Sequence, residues 1–222
     1  MRTAKISDAV VRRLPLYLRI LDQLAVHEGP DASLSSQELG ERAGVSPALV
    51  RKDLAWFGEF GKQGVGYDVQ YLRTALRKIL HLDKEIRIAL AGVGNLGLAL
   101  ARYHRRRYLS EPEFHLHIVA LFDNDPAKWG EEIDGVPITP MSQMPEMVRR
   151  LGIRMGIITV PAEAAQEVAN QMVRSGVRLI LNFAPATLSL PEHVHVATAD
   201  LSVELQRLSY YLDEDEASPV PH

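Results

Sequence analysis

Apolar residues along this chain recur at two spacings, and each spacing predicts one type of element. In residues 9–26 and 69–80 they recur every three or four positions, which is the period of an amphipathic helix. Shorter apolar runs, such as residues 88–91 and 117–122, are typical of buried strands. From residue 85 onward strands and helices alternate, and this order predicts an α/β fold with a parallel sheet. Within the first helical pattern, Pro15 predicts either a kink or a helix that begins there.

Two short helices with start signals follow the first helix. The run Ser35-Ser36-Gln37-Glu38 is typical of a capping box, in which Ser35 is the N-cap and Glu38 bonds back to it. Gly44 then ends this helix, and Ser46 followed by Pro47 predicts the start of a second helix over residues 48–57. Two short helices joined by a glycine-containing turn predict a helix-turn-helix, whose second helix enters the DNA major groove.

The ten residues after this helix pair favour a DNA-binding wing. Residues 58–67 hold four glycines among aromatic, basic and amide residues, and this composition predicts a β-hairpin with Lys62 and Gln63 near its tip. A solvated helix face is the alternative interpretation of Arg51 and Lys52 alone, but the flanking helix pair and wing favour DNA. The candidate DNA-contacting residues are Ser46, Ala48, Leu49, Arg51, Lys52, Lys62, Gln63 and Tyr67.

A glycine fingerprint follows the first predicted strand of the α/β region. Gly92, Gly94 and Gly97 have the spacing G-x-G-x-x-G between the strand at residues 88–91 and a helical segment at 96–103. In this context one glycine makes the tight turn, the next lets backbone approach a pyrophosphate, and the third lets helix and strand pack closely. We therefore predict a dinucleotide site that includes Val93, Asn95 and Leu96.

Three further strand ends extend the predicted cofactor site. Asp123 ends the second strand, where an acidic residue accepts hydrogen bonds from the adenosine ribose, and its charge favours NAD over NADP. Ligands of parallel sheets bind at the carboxyl ends of strands. The segments 159–161 and 182–184 are therefore candidate pocket walls, and a structural role in turns is the alternative for each. Their residues are Thr159, Val160, Pro161, Asn182, Phe183 and Ala184.

Composition and charge narrow the class of protein. Hydrophobic residues make up 46% and charged residues 24% of the 222 residues, and no apolar run reaches the roughly 18 residues of a membrane span. We therefore expect a cytoplasmic protein without a membrane partner. Residues 1–84 hold 13 Lys/Arg and 10 Asp/Glu (+3), whereas the remainder holds 12 and 18 (−6), so the basic end fits nucleic acid. The absence of cysteine excludes disulfides, thiolate metal sites and thiol switches, and no metal is expected.

The carboxyl-terminal part predicts an interface and a tail. Apolar residues in the last predicted helix, over residues 200–212, exceed what an exposed helix needs, so this helix is interpreted as an interface element. The acidic and proline-rich residues 213–222 are expected to be disordered. We therefore divide the chain into a winged-helix domain (1–84), a Rossmann domain of doubly wound parallel sheet (85–198), a dimerisation helix (199–212) and this tail.

Together these features resemble the Rex family of bacterial redox-sensing repressors. The resemblance extends through almost the whole chain, and residues 51–58, 61–67, 92–97, 122–126 and 181–185 carry it. It implies a homodimer that exchanges its last helix, binds a palindromic operator when NADH is scarce and releases it when NADH binds. It also implies an NADH-sensitive network at Arg19, Tyr103 and Asp200. The chain departs from the family pattern at Leu49 and Gln63, where relatives carry Gln and Arg, so we expect either weaker operator binding or an altered operator preference.

Two other functions remain open from the residues. The first is an NAD-dependent oxidoreductase, which needs a proton-transfer residue near the nicotinamide. Tyr103 and the eight histidines are candidates for that residue. The second is a winged-helix regulator whose Rossmann domain binds another nucleotide or coenzyme A.

Overall fold

The computed structural model describes residues 6–29, 32–62 and 65–212. Contacts between residues divide the chain into two compact units, and the boundary falls between Lys84 and Glu85. The predicted tail at 213–222 and the wing residue Gln63 lie outside the described residues.

The amino-terminal unit is a helical domain with a small antiparallel sheet. The three strands have the order β1-β3-β2, and β2 and β3 form the predicted wing. The two-residue strand β1 is too short to give a hydrophobic pattern, so the sequence did not predict it. The elements are α1 (Asp8–Glu28), β1 (Ser33–Leu34), α2 (Ser36–Ala43), α3 (Pro47–Leu54), β2 (Gly61–Lys62), β3 (Gly66–Asp68) and α4 (Val69–Ile79).

Local start and stop signals define the helix pair α2–α3. The Ser35 hydroxyl accepts a hydrogen bond from the Glu38 amide, and the Glu38 carboxylate accepts one from the Ser35 amide, which is the predicted capping box. Gly44 ends α2 with φ 67°, a left-handed conformation that favours glycine. The Ser46 hydroxyl caps α3 by accepting from the Leu49 amide. These contacts produce the predicted helix-turn-helix.

The structure rules out one of the two alternatives predicted for helix α1. It begins at Asp8 and continues through Pro15, so the alternative of a helix that begins at Pro15 is wrong. Pro15 lacks an amide hydrogen and so leaves the carbonyl of Val11 without a helical donor. Val11 is 43% exposed, and water can therefore solvate this carbonyl. The buried face of α1 includes Leu14, Leu18 and Leu21, which pack in the core of this unit.

The second unit is a doubly wound α/β domain. Its sheet has the order β10-β9-β8-β4-β5-β7-β6, in which all neighbours pair in parallel except β6 and β7. The elements are β4 (Ile86–Ala91), α5 (Asn95–Ser110), β5 (Leu116–Asp123), β6 (Glu132–Ile133), β7 (Val136–Pro140), α6 (Met144–Arg150), β8 (Met155–Ile158), α7 (Ala162–Ser175), β9 (Leu179–Asn182), β10 (His195–Thr198) and α8 (Leu201–Ser209).

The order of the parallel strands places the ligand crevice. The chain proceeds from β4 outward to β5 and β7, then returns to pair β8 with the other edge of β4 and continues to β9 and β10. This arrangement is the Rossmann strand order, and it reverses between β4 and β8. In such sheets ligands bind outside the carboxyl ends of the strands at the point of reversal. The crevice therefore lies where Ala91 ends β4 and Ile158 ends β8.

Alternation along β4 divides the core of this unit between the two faces of the sheet. Ala89 and Ala91 point to the face covered by α6 and α7, and Ile88 and Leu90 point to the face covered by α5. All four are buried. Helix α6 is preceded by a 3-10 turn over residues 141–143.

Helix α8 has no buried residue, although it is rich in apolar side chains. Leu201, Leu205 and Leu208 are 70%, 66% and 53% exposed.

Among the described residues, no helix has the length and hydropathy that crossing a membrane requires. Those same residues contain no cluster of His, Asp or Glu able to hold a metal ion.

Candidate dinucleotide and DNA-binding sites

The three fingerprint glycines have different structural reasons to be glycine. Gly92 adopts φ +95°, and a Cβ there would lie 2.7–2.8 Å from Val160 and the Thr159 backbone. A Cβ on Gly97 would lie 2.0 Å from the carbonyl oxygen of Gly92, a distance that no packing tolerates. Gly92 and Gly97 are therefore required for the turn itself to close against the end of β8.

Gly94 has no such requirement within the chain. Its φ is −82°, which any residue can adopt, and a Cβ there would meet nothing within 4 Å. Gly94 is the N-cap of α5 and provides no side-chain hydrogen bond to the first amides of that helix. The start of α5 thus presents backbone N–H groups and the positive end of a helix dipole to open space. This arrangement fits a pyrophosphate, which needs close backbone approach and N–H donors.

Thr159 holds the glycine turn in place. Its hydroxyl lies 2.7 Å from the carbonyl oxygen of Gly92 and 3.1 Å from that of Ala91, within donating distance of both. The side chain of Val160 packs toward Gly92, and Pro161 precedes α7 as its N-cap. Thr159 and Val160 therefore line the point where the strand order reverses, and both support the turn.

Asp123 connects the glycine turn to the end of β5. Its Oδ2 accepts from the Val93 amide at 2.7 Å and from the Lys128 ammonium at 3.1 Å, and its Oδ1 accepts from the Asp125 amide at 2.9 Å. Burial acts to raise the pKa of Asp123, but these hydrogen bonds and the Lys128 charge hold it below its ordinary value. Asp123 is thus a charged carboxylate at the carboxyl end of β5, beside the glycine turn. The bond from Lys128 was not predicted, because the two residues lie five positions apart across a turn.

The polar side chain of the segment 182–184 makes its hydrogen bonds within the turn that this segment begins. Asn182 is fully buried, and its side-chain amide donates to the carbonyls of Ala184 and Ala186 at 3.0 and 2.9 Å. The Asn182 Oδ1 accepts from the Ala184 amide at 3.0 Å. Ala184 is also buried, whereas Phe183 is partly exposed. These contacts favour the structural alternative for Asn182 and Ala184.

The expected NADH-sensitive network is distributed over both units. Tyr103, on α5, is 54% exposed, and its hydroxyl accepts from Arg107 at 3.3 Å. Asp200 caps α8 by accepting from the amides of Ser202 and Val203 at 2.9 and 3.4 Å. Arg19 lies on an exposed position of α1 in the amino-terminal unit. Tyr103 and Asp200 thus each have a partner close to them in sequence.

The candidate DNA-contacting residues differ in exposure. On α3 and its cap, Ser46, Ala48, Arg51 and Lys52 are exposed, and Leu49 is half-buried. Arg51 donates to the Ser36 hydroxyl at 2.8 Å, so the start of α2 helps to orient it.

In the wing, Lys62 is the last residue of β2. Tyr67 differs from its prediction: it is only 8% exposed and packs in the core of the unit, where a Cβ on Gly61 would lie 2.9 Å from its ring. Tyr67 therefore supports the wing from within and is not a surface contact. This burial had no signal in the sequence, because the glycines and small aliphatic residues around Tyr67 form no hydrophobic pattern.

These two units together define a class of protein. A winged helix-turn-helix unit is joined to a Rossmann unit whose helix N-terminus is open to a nucleotide, so the chain is a DNA-binding regulator with a dinucleotide-type domain.

Comparison with known proteins agrees with this class. A family model described as "Putative DNA-binding protein N-terminus" matches residues 5–55, and one described as "CoA binding domain" matches residues 83–186. The chain is 48% identical to "Redox-sensing transcriptional repressor Rex" from Brevibacillus brevis, with 94% of this chain and 97% of that protein covered. It is 45% identical to the protein of the same name from Pelotomaculum thermopropionicum, with 98% and 99% covered.

Solved structures give the same result. The structure of "RSP in complex with beta-NAD+ and operator DNA" matches with a TM-score of 0.85 and 37% identity, over 96% of this chain and 95% of that one. The structure of "RSP in complex with beta-NADH" matches with a TM-score of 0.83 and 34% identity, over 96% and 97%. The chain belongs to the Rex family of redox-sensing transcriptional repressors. This membership confirms the resemblance, and it places the chain among transcriptional regulators and not among the oxidoreductases that share the Rossmann fold.

Proposed function

We propose that this protein represses transcription by binding a palindromic operator as a homodimer, and that NADH binding to its Rossmann unit releases the DNA. The observation that carries the proposal is the start of α5 at its N-cap Gly94, where no side chain bonds the first amides and the chain leaves open space beside them. A pyrophosphate bound there would be stabilised by the helix dipole and by direct backbone hydrogen bonds.

The position of Asp123 supports an adenosine ribose at the next strand end. Its carboxylate is charged and largely buried, with 8% of the residue exposed at the end of β5, and this carboxylate would accept hydrogen bonds from a ribose diol. A 2′-phosphate there would meet this negative charge, although Lys128 offsets part of it. We therefore assign the site to NADH and NAD+ in preference to NADPH. Thr159, Val160 and Phe183 complete the proposed site.

The two redox forms of the cofactor differ in charge at the nicotinamide, which is cationic in NAD+ and neutral in NADH. A sensor needs a group whose interaction free energy differs between these forms, since a ligand shifts an equilibrium only by its differential affinity. The family resemblance assigns this role to Arg19, Tyr103 and Asp200. Because Asp200 also caps α8, its replacement by alanine would remove both the charge and a cap. Asp200→Asn is the better variant, since asparagine caps as well as aspartate and removes only the charge.

DNA binding is assigned to α3 and the wing. The exposed Arg51 and Lys52 would contact bases or phosphates, and Lys62, at the end of β2, would contact DNA from the wing. Relatives carry Gln and Arg where this chain has Leu49 and Gln63, and the loss of their hydrogen-bond donors would either weaken operator binding or change the preferred sequence. A two-fold dimer would present two α3 helices to a palindromic site. Helix α8, with its exposed leucines, is the proposed dimerisation element. The proposed place of action of such a regulator is the cytoplasm.

A mobility-shift experiment tests the proposal. The probe is a duplex that the protein selects from a randomised pool, and NADH, NAD+, NADPH and coenzyme A are titrated into the complex separately. We expect NADH to dissociate the complex at the lowest concentration and NAD+ to leave it intact. If coenzyme A alone dissociates it, the regulator binds coenzyme A, as the name of the matching family model suggests. If NADH leaves the complex intact, the proposal fails.

In the same assay Asp200→Asn should retain operator binding and lose sensitivity to NADH. Unchanged release by NADH in this variant would remove Asp200 from the proposed sensor.

A further inference from the structure

A partly buried ion pair, in which Asp53 is buried and the Arg13 side chain is 23% exposed, fixes the proposed recognition helix to α1. Asp53, on α3, directly follows the exposed Arg51 and Lys52 but is only 1% exposed. The Arg13 guanidinium donates through Nε to Asp53 Oδ2 at 2.6 Å and through Nη2 to Oδ1 at 2.8 Å. The Tyr17 hydroxyl donates to Oδ2 at 2.8 Å. This arrangement joins residues 40 and 36 positions apart in sequence.

The electrostatics keep Arg13 and Asp53 charged and Tyr17 neutral. Burial acts to raise the pKa of Asp53, but hydrogen bonds from Arg13 and Tyr17 hold it below its ordinary value. Burial and the Asp53 bond raise the pKa of the Tyr17 hydroxyl, so Tyr17 remains a donor at neutral pH. Since two parallel N–H···O bonds need a planar fork facing a planar carboxylate, the pair fixes direction as well as distance.

The need for such a device follows from the size of α3. The helix has eight residues, and its buried apolar anchors are Val50 and Leu54, which lie one turn apart. Apolar packing is non-directional, so two anchors on one side leave rotation of the helix about its axis weakly determined. A rotation of roughly 20° would move side-chain atoms at the ~5–6 Å helix radius by about 2 Å. Such a displacement is enough to break a bidentate contact with a base edge.

We propose that Arg13, Tyr17 and Asp53 form a positioning clamp that sets the rotation of α3, and so determines how selectively Arg51 and Lys52 recognise the operator. The inference rests on the proposed function, because it assumes that α3 contacts DNA. A buried ion pair is weak support for stability, since apolar side chains of similar volume often replace it without loss. The clamp therefore acts mainly on DNA selectivity. A variant that removes it can keep the free energy of unfolding of the protein and still lose selectivity for the operator.

The test is a triple variant, Arg13→Met/Tyr17→Phe/Asp53→Leu, which replaces the whole clamp by apolar side chains and leaves no buried partner unpaired. It removes one positive and one negative charge, so the net attraction to phosphates is unchanged. The matched control is Asp8→Leu/Arg12→Met, which removes an exposed ion pair from the same helix with the same change in charge. Affinity for the selected operator and for a scrambled duplex is measured at one salt concentration, with NADH affinity and urea unfolding in parallel.

We expect the triple variant to bind the operator at least about tenfold more weakly, the loss of roughly one good base contact. Its affinity for scrambled DNA should stay within about twofold, because phosphate contacts dominate that binding. The stability and the NADH affinity of the triple variant should match those of wild type. The control variant should match wild type in every one of these measurements. A folded triple variant with the wild-type ratio of operator to scrambled affinity would overturn the inference.

If the triple variant does not fold, Tyr17→Phe decides, since it removes only one hydroxyl donor. A reduced ratio in Tyr17→Phe supports the clamp, and a wild-type ratio overturns it. A failure of the wild-type protein to prefer any duplex is a different result, and it would refute DNA recognition itself.

Discussion

Replacing Gly94 by alanine should separate cofactor binding from folding. A Cβ at this position meets no atom of the chain within 4 Å, and the backbone φ of −82° is available to alanine. Alanine is a poorer N-cap than glycine, but it also lowers the entropy of the unfolded chain, and each effect is worth about 0.4–1 kcal/mol. The two effects oppose each other. The free energy of unfolding should therefore change by less than about 0.5 kcal/mol.

The same methyl group should weaken NADH binding strongly. It would occupy space that the pyrophosphate needs for close approach to the backbone, and overpacking of this kind costs about 1–3 kcal/mol. A cost of about 2 kcal/mol raises the dissociation constant about 30-fold. Fluorescence titration with NADH measures this change, and urea unfolding measures stability. In the mobility-shift assay the Gly94→Ala protein should bind the operator normally and release it only at about 30-fold more NADH.

Gly97→Ala is the matched control within the same turn. Its Cβ would lie 2.0 Å from the Gly92 carbonyl oxygen, so the turn must open and both stability and NADH affinity should fall. Wild-type NADH affinity in Gly94→Ala would refute the assignment of the turn to a pyrophosphate. If Gly94→Ala lowered the free energy of unfolding by more than about 2 kcal/mol, the open space beside Gly94 would not be reserved for a ligand.

Three further variants test other parts of the structure. The folded-state pKa of Asp123 is below the ordinary 3.8, so its stabilisation is present above that pH and is lost as the pH falls through the folded pKa. Asp123→Asn should therefore be less stable than wild type by about 1–2 kcal/mol at pH 7, and urea unfolding should show this difference vanish in acid; a constant difference would contradict the ionic role. Leu205→Glu places a charge on the apolar face of α8, and sedimentation should show a shift from dimer to monomer; an unchanged dimer would exclude this face from the interface. Gly40→Ala puts a Cβ 2.6 Å from the Val45 carbonyl oxygen, so thermal unfolding should report a loss of about 1–3 kcal/mol at constant NADH affinity; unchanged stability would show that the turn between α2 and α3 can shift freely.

The sequence by itself determined the elements whose signals are local. The capping box at Ser35, the cap at Ser46 and the stop at Gly44 act within four residues, so each could be identified from residue types alone. The strand-turn-helix around Gly92–Gly97 was equally local, and the alternation of strands and helices specified a parallel sheet. These signals are strong because one backbone conformation or one hydrogen bond explains each residue.

Only the tertiary structure decided what the long-range partners do. Tyr67 was expected to contact DNA, but it is buried. Asn182 was a candidate pocket wall, but its side-chain amide donates both of its hydrogen bonds to carbonyls of its own loop. Asp53 stood in a basic run as one more charged residue, and its partner Arg13 lies 40 positions away. Burial depends on how α1 packs against α3, and no local pattern encodes that contact. The sequence therefore established that the chain joins a DNA-binding unit to a dinucleotide fold, and the packing between elements decided which polar side chains face a ligand and which hold the framework.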